Sequence, residues 1–198
     1  MVVGITGGIG SGKSLIAKAF CSFQNTVYYH ADEEAKNLMN TSASIQQEII
    51  LEFGKKSYQD NQLNRTYISS LVFKNPELLK KLNSIVHPAV KAHFKNFINS
   101  YNPNTLIIYE NAILFETGSD LVCDVVISVC APLKERIKRV VERDHINEEK
   151  VMDRIMNQWP DSKRNLLSNY LVINIDKKET LLKIKNIYNI LTKNLTFF

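Results

Sequence analysis

The fold of this chain is decided by the stretch Val2-Val3-Gly4-Ile5-Thr6-Gly7-Gly8-Ile9-Gly10-Ser11-Gly12-Lys13-Ser14. Its end, from Gly7 to Ser14, fills every defining position of the P-loop pattern G-x-x-x-x-G-K-[ST]. The apolar residues before the loop predict a buried strand, and those after it predict a helix. Glycines leave no Cβ between backbone amides and a phosphate oxygen, and a helix N-terminus adds positive potential. The stretch therefore predicts a phosphate-binding site, and the alternative is a glycine-rich turn that binds nothing.

Three residues at the start of the predicted helix have expected roles. In P-loop proteins the lysine reaches the β- and γ-phosphates, which assigns that role to Lys13. The hydroxyl of Ser14 is expected to ligate the Mg²⁺ that bridges these phosphates. Leu15 stands where many P-loops carry a second hydroxyl, so one contact to the α-phosphate is expected to be missing.

The composition narrows the class of protein. A chain of 198 residues, 44% hydrophobic and 23% charged, can form one α/β core with one or two small excursions from it. The formal net charge of +5 suits a polyanionic ligand, but nucleotide, nucleic acid and acidic lipid all meet that description. Because the basic residues are scattered among acids rather than gathered in a stripe, nucleic acid is not a predicted partner.

Cysteine usage and hydropathy bear on the cellular compartment. Cys21, Cys123 and Cys130 show neither C-x-x-C spacing nor a paired Cys/His metal pattern, which favours reduced thiols in a cytoplasmic protein. The N-terminus runs directly into the first strand, so no signal peptide is expected, and no apolar run approaches the roughly 20 residues of a membrane-spanning helix. We therefore expect no membrane partner. The oligomeric state stays open, with a monomer favoured.

The rest of the pattern alternates between strands and helices. Further strands are predicted at Thr26–Tyr29, Thr105–Tyr109, Asp124–Val129 and Tyr170–Asn174. Residues 41–87 show helical spacing and no strand signal, which predicts an inserted helical region that holds the phosphate acceptor. Two predicted helices, Pro132 to about Arg143 and Glu148 to Gln158, form a lid over residues 132–159. The core of this single domain is then 1–40, 88–131 and 160–198.

Two acids follow predicted strands. Asp32 comes after the second strand, where the ligand crevice of a parallel α/β sheet lies, and it either faces the phosphates or caps the next helix. Glu110 ends the third strand, at a position that holds Mg²⁺ in other P-loop proteins, and the alternative is a surface acid.

Arginines of the predicted lid are further candidates. Arg136, Arg139 and Arg143 fall at i, i+3 and i+7 of one helix and therefore share a face. Either this face is solvated, or its cations close over the transferring phosphoryl group. After the lid, Lys163-Arg164 is expected to lead into a turn before the last strand.

The helical insertion contributes two candidates. Arg65 is the cation expected to point into the cleft, and the alternative is a solvated surface arginine. His87 is a ligand candidate, and the alternatives are a cap or a packed core residue. Pro88 stands at a plausible first position of a new helix.

The order and spacing of short motifs over nearly the whole chain resemble the dephospho-CoA kinase family. The motifs are Thr6–Ser14, Ala31-Asp32, Phe53-Gly54, Arg65, Val72-Phe73, His87-Pro88, Ile113–Glu116, Arg139, Arg143-Asp144, Gln158 and Asn174. The resemblance implies an α/β P-loop kinase with a parallel five-stranded sheet flanked by helices, an inserted helical substrate-binding region and a helical lid. It also implies that ATP phosphorylates the ribose 3′-hydroxyl of dephospho-CoA, the last step of coenzyme A biosynthesis.

The resemblance implies residue roles as well. Asp32 would accept the proton of the 3′-hydroxyl, while Lys13 and Arg143 would act on the transferring phosphoryl group. Arg65 and His87 would lie with the acceptor. We also assign Asp32 and Glu110 to the acceptor side, and Ser14 and Glu110, from their P-loop and strand-end positions, to the metal. ATP contacts would come from Gly8, Gly10, Ser11, Gly12, Lys13, Ser14, Leu15, Arg139 and Asn174.

The chain departs from the family pattern at several positions. His30 replaces the first acid of Asp-Ala-Asp, Ala112 replaces the proline of Pro-Leu-Leu-Phe-Glu, and Asn61 replaces a turn glycine. Ser168-Asn169 and Asp176 replace an Ala-Asp pair and a glycine near the expected adenine contacts. The rival functions are a kinase for another small acceptor and a nucleotide-dependent switch, although no [NT]-K-x-D guanine signature is present.

Overall fold

The computed structural model describes residues 1–73 and 75–193. The chain divides into two compact units, one formed by Met1–His30 with the segment from Asn102 onward, the other by Ala31–Tyr101. We call them the sheet unit and the helical unit. The predicted core segment 160–198 ends outside the described residues.

The helices and strands alternate as an α/β chain. In chain order they are β1 Val2–Thr6, α1 Lys13–Phe20, β2 Thr26–His30, α2 Ala31–Thr41, α3 Ala43–Phe53, β3 Tyr58–Gln59, β4 Gln62–Leu63, α4 Arg65–Val72, α5 Pro76–Asn99, β5 Leu106–Glu110, β6 Val125–Cys130, α6 Leu133–Asp144, α7 Glu148–Met156, α8 Asp161–Leu167, β7 Tyr170–Ile173 and α9 Lys177–Lys193. Among the described residues, no helix has both the length and the apolar character needed to cross a membrane.

The sheet unit is built on five parallel strands in the order β2-β5-β1-β6-β7, which confirms the predicted sheet. The central strand β1 is buried along its whole length, as is typical of a strand inside a parallel sheet. Val3 and Ile5 of β1 belong to the same buried core as Ile16 of α1 and Ile184 of α9. Each fully buried side chain of this size contributes about 1.5–3 kcal/mol to folding.

The strand register brings polar residues to one edge of the sheet. Ile5 of β1 pairs with Glu110 of β5, and His30 of β2 pairs with the same Glu110. Parallel strands end at the same edge, and β1 continues there into the P-loop. Glu110 and His30 therefore lie at the edge of the sheet unit that carries the loop.

One helix of the sheet unit is not predicted from the sequence, which indicates only a turn after Lys163-Arg164. Lys163 and Arg164 lie inside the helix α8. Asp161, in the first turn of α8, forms an ion pair with Arg164 three residues later. Residues at i and i+3 share a helix face, so this pair suits a helix better than a turn.

The helical unit has its own apolar core. Ile45, Ile49 and Phe53 of α3 are buried together with Ile68 of α4. The helix α3 ends before Gly54, whose φ is 84°. Asn64 caps α4, because its side-chain oxygen accepts a hydrogen bond from the Tyr67 N–H.

The helical unit also contains a hairpin that the sequence pattern did not predict. The strands β3 and β4 pair in antiparallel fashion around a turn at Asp60 and Asn61. These residues adopt φ angles of 50° and 59°. Asp and Asn tolerate this left-handed conformation better than most residues, so they close a tight turn without glycine.

A second correction concerns Pro88, which does not start a helix. It lies inside the long helix α5. Proline removes one backbone hydrogen bond there, and the helix nevertheless continues because buried side chains on both sides of the proline, Val86 and Val90, hold it against the rest of the unit.

Candidate active site

The P-loop joins β1 to α1, and its glycines are required by the backbone and by neighbouring side chains. Gly10 and Gly12 adopt φ angles of 77° and 96°, in the left-handed region that favours glycine. A Cβ on Gly12 would lie 2.0 Å from Asn174 Nδ2, and one on Gly8 would lie 2.1 Å from an Arg136 nitrogen. Side chains from α6 and from the residue after β7 therefore cover the loop closely.

Lys13 is buried within the loop region. Its Nζ donates to the carbonyl oxygens of Gly7 and Gly8 at 3.0 and 3.3 Å. Backbone amides and the N-terminus of α1 add to this positive charge, which makes the loop a site for an anion. The hydroxyl of Ser11 is also buried and has no hydrogen-bond partner among the described residues, so it is available to a bound phosphate.

Ser14 and Glu110, the two metal-side candidates, are brought together from distant parts of the sequence. Ser14 Oγ donates to Glu110 Oε1 at 2.8 Å, and the Tyr28 hydroxyl donates to the other carboxylate oxygen. His30 Nε2 lies 3.7 Å from Glu110 Oε1, and its ring stacks on that of Tyr28. Glu110 is only 2% exposed, and these contacts compensate for the burial of its polar oxygens.

This pair fits Mg²⁺ chemically. A hydroxyl and a carboxylate are oxygen ligands of the kind that Mg²⁺ prefers. Mg²⁺ usually takes one or two protein ligands and completes its shell with substrate phosphates and water. Ser14 and Glu110 are therefore the residues of the sheet unit that could hold this ion beside the loop.

Arg139 and Asn174, predicted from the family resemblance as ATP-side residues, both contact the P-loop. Asn174 Nδ2 donates to Ser11 O at 2.8 Å. Arg139 donates to Gly10 O at 3.4 Å and to Asn174 O at 3.0 Å. The two side chains thus connect α6 and the end of β7 to the same part of the loop.

Two further contacts to the loop were not assigned from the sequence. Arg136 Nε donates to Ile9 O at 2.8 Å, and the Ile9 N–H donates to Gln158 Oε1 at 2.8 Å. The sequence places Arg136 on a helix face that is either solvated or closes over the phosphoryl group, and Gln158 at the end of the second lid helix and in a family motif. No local pattern indicates that either side chain meets Ile9.

Arg143, the predicted catalytic cation, does not contact the P-loop in this structure. It donates two hydrogen bonds to Asp144, at 2.7 and 3.1 Å, and Arg154 of α7 donates to the same carboxylate at 2.7 Å. The hydrogen bond from Arg143 is the main cause that holds the pKa of Asp144 below its ordinary value of 3.8. The side chain of Arg143 is 62% exposed.

The remaining candidates belong to the helical unit. The helix α2 begins at Ala31, so Asp32 is its second residue rather than its N-cap, and its side chain is exposed. Arg65 is the first residue of α4 and is also exposed. His87 is half-buried in α5, and burial lowers its pKa, so the neutral imidazole is favoured at pH 7.

Comparisons with known proteins agree with each other. A family model for dephospho-CoA kinase matches residues 1–179. A dephospho-CoA kinase from Fusobacterium nucleatum is 34% identical over 184 residues, covering 92% of this chain and 94% of the relative. One from Bacteroides fragilis is 33% identical over 176 residues, covering 89% and 85%. A crystal structure from Thermus thermophilus has a TM-score of 0.84 and 29% identity, covering 97% of this chain and 98% of that one.

Proposed function

The chain belongs to the dephospho-CoA kinase family, and we propose that its sheet unit holds Mg-ATP while Asp32 acts on the acceptor hydroxyl. The family reaction consumes ATP and dephospho-CoA and produces ADP and coenzyme A, in the last step of coenzyme A biosynthesis. The group transferred is the γ-phosphoryl group, and it moves from ATP to the ribose 3′-hydroxyl.

The observation that carries the phosphate side of this proposal is the contact between Ser14 and Glu110. The P-loop hydroxyl and the strand-end acid lie 2.8 Å apart, beside a loop that contains a buried lysine. Ser14 Oγ and the Glu110 carboxylate would hold Mg²⁺, which neutralises phosphate charge when it is bound. The amides of the loop and Lys13 would bind the phosphate oxygens.

In this proposal, positively charged side chains around the phosphates make the main contribution to catalysis. Phosphoryl transfer leaves little covalent work to the protein, so positioning and charge stabilisation supply most of the acceleration. Lys13 and Arg139 already lie at the loop. Arg143 would release Asp144 and bind the transferring phosphoryl group instead. Its exposed position on α6 allows this change of partner.

Asp32 is the proposed general base. It follows the end of β2 by two residues and is exposed in the first turn of α2. A general base must be accessible to the hydroxyl whose proton it accepts. Its role would be to orient the 3′-hydroxyl and to take its proton as the phosphoryl group arrives.

The helical unit is proposed to bind the acceptor. Arg65 is an exposed cation that suits the phosphates of dephospho-CoA. His87 would act as a neutral hydrogen-bonding group, because burial lowers its pKa. We also propose a monomer in the cytoplasm, and the three free cysteines support a reducing compartment.

ADP formation from Mg-ATP tests the proposed reaction. Purified protein would be compared with dephospho-CoA, AMP, CMP, UMP and no acceptor. We expect rapid turnover with dephospho-CoA alone and coenzyme A as the product. Preference for a nucleoside monophosphate would keep the phosphate site but contradict the substrate.

Asp32→Asn tests the proposed base. The substitution keeps the shape but removes the charge and the proton acceptor, so we expect kcat to fall about 10²–10⁴-fold with ATP binding nearly unchanged. Glu33→Gln, in the same helical turn, is the matched control and should retain kcat. Loss of ATP affinity with kcat retained in Asp32→Asn would instead indicate a structural role.

A further inference from the structure

We propose that Arg136 is a positioning residue that fixes the P-loop at Ile9 for nucleotide binding, and that Asp161 holds Arg136 in place. The contacts of Ile9 carry the argument. Its carbonyl oxygen accepts from Arg136 and its N–H donates to Gln158, each at 2.8 Å. Side chains from outside the loop therefore hold both polar backbone groups of this loop residue.

Arg136 is itself held on its other side. Its Nη1 donates to Asp161 Oδ2 at 2.9 Å, and Arg164 donates to the other oxygen of the same carboxylate. Arg164 also donates to Trp159 O and lies 3.8 Å from Glu116. Asp161 thus bridges two guanidiniums whose side chains are 6% and 1% exposed.

Steric contacts at the loop agree with a positioning role. A Cβ on Gly8 would meet an Arg136 nitrogen at 2.1 Å, and a Cβ on Gly10 would meet Arg136 O at 2.5 Å. Gly8 O accepts hydrogen bonds from Lys13 Nζ and from the Ser11 N–H, at 3.3 and 3.1 Å. A shift of the peptide between Gly8 and Ile9 would therefore also move the lysine expected to bind phosphate.

A contribution to folding stability is a poor explanation for this network of buried ion pairs. Burying two guanidiniums has a desolvation cost that ion pairs often only balance, and apolar replacements of similar volume can be neutral or stabilising. Arg164 Nε and Glu116 Oε2 are buried without a hydrogen-bond partner in the described part of the chain. Not all buried polar atoms of this network have hydrogen-bond partners. What the network does specifically is to fix the position of the Ile9 backbone.

Direct nucleotide binding tests the inference, which rests on the proposed function only for the identity of the nucleotide. Calorimetric titration with Mg-ADP would compare the full chain with Arg136→Gln, Asp161→Asn and Lys138→Gln. Lys138 is an exposed cation on the same helix and serves as the matched control. We expect the Kd of ADP to rise at least tenfold, about 1.4 kcal/mol, in the first two variants and to stay within twofold in the control.

Arg136→Lys separates positioning from folding. It keeps a positive charge beside Asp161, but its single ammonium cannot replace the forked guanidinium that bonds Ile9 and Asp161 together. We expect most of the thermal stability to remain, weaker ADP binding, a raised KM for ATP and an unchanged KM for dephospho-CoA.

The outcomes separate this inference from the proposed function. An ADP Kd within twofold of the parent in folded Arg136→Gln or Arg136→Lys would overturn the positioning role, whatever the change in thermal stability. If ADP binding depends on Arg136 but the parent does not turn over dephospho-CoA, the inference stands and the proposed function fails.

Discussion

The two ends of α6 hold the same type of residue in opposite environments. In the first two turns, Arg136 and Arg139 donate to backbone carbonyls of the P-loop. At the C-terminal end, Arg143 is largely exposed and donates to the neighbouring Asp144. Sequence spacing alone places all three on one helix face, so tertiary contacts create the difference.

This difference separates two kinds of cation on α6, those bonded to the P-loop and one bonded to a neighbouring acid. Cations already bonded to the loop are preorganised, so they need little rearrangement when charge develops. Arg143 can leave its partner at low cost, because an exposed ion pair contributes only about 0–1 kcal/mol. We therefore expect changes near the loop to alter the phosphate site and changes at the far end to alter the transfer step.

Replacement of Lys13 should have the largest effect and tests the loop side of this comparison. Lys13→Ala removes the fixed positive charge expected on the β- and γ-phosphates, so kcat should fall about 10³-fold or more. The measurement is ADP formation from Mg-ATP with dephospho-CoA. Lys18→Ala, an exposed lysine of the same helix, is the control. Parent-like turnover in Lys13→Ala would remove the basis of the phosphate site.

Replacement of Arg143 should have a smaller but clear effect and tests the exposed side. Arg143→Ala should lower kcat about 10²-fold and change acceptor KM little, because the cation is expected to act on the transferring group. Arg154→Ala is the matched control, since Arg154 pairs with the same Asp144. Equal losses in both variants, or an effect on acceptor affinity alone, would place Arg143 outside the transfer step.

Asp144→Asn should have the smallest effect. It measures how little the ion pair at the C-terminal end of α6 contributes to folding stability. The hydrogen bond from Arg143 is the main cause that lowers the pKa of Asp144 in the folded state. The ionised carboxylate therefore stabilises the fold at pH values above its ordinary pKa of 3.8. This stabilisation is lost as the pH falls through the lowered pKa. We expect a free energy of unfolding lower than that of the parent by less than about 1 kcal/mol at pH 7.

Urea unfolding of the parent and Asp144→Asn between about pH 7 and pH 2 checks this sign, because the difference should disappear at the acidic end. A constant difference over the whole range would show that the carboxylate charge is not its cause.

Much of the fold was predictable because its signals are local. The five strands follow from short apolar runs, and the family implied by the motifs is confirmed. The errors occur where packing overrides local preference. Pro88 is kept inside α5 by buried neighbours, and Lys163-Arg164 joins α8 beside the ion pair of Asp161 with Arg164. A hairpin of two-residue strands is too short for a periodic pattern to reveal.

The sequence allowed single residues of the candidate site to be proposed, but not the contacts between them. Ser14 and Glu110 were each proposed from their positions at a helix start and a strand end. Their hydrogen bond depends on β5 lying beside β1, which the order of strands along the chain does not specify. No sequence pattern pointed to a role for Asp161, because its partner Arg136 lies on another helix.

By itself, the sequence determined the P-loop, the strand and helix around it, and the family, because glycine conformation and apolar periodicity act over a few neighbouring residues. Only the tertiary structure decided which cations of α6 hold the loop and which one stays exposed. Its reason is geometric, since Ile9, Arg136 and Asp161 are far apart in sequence and meet only when the sheet and its helices are assembled.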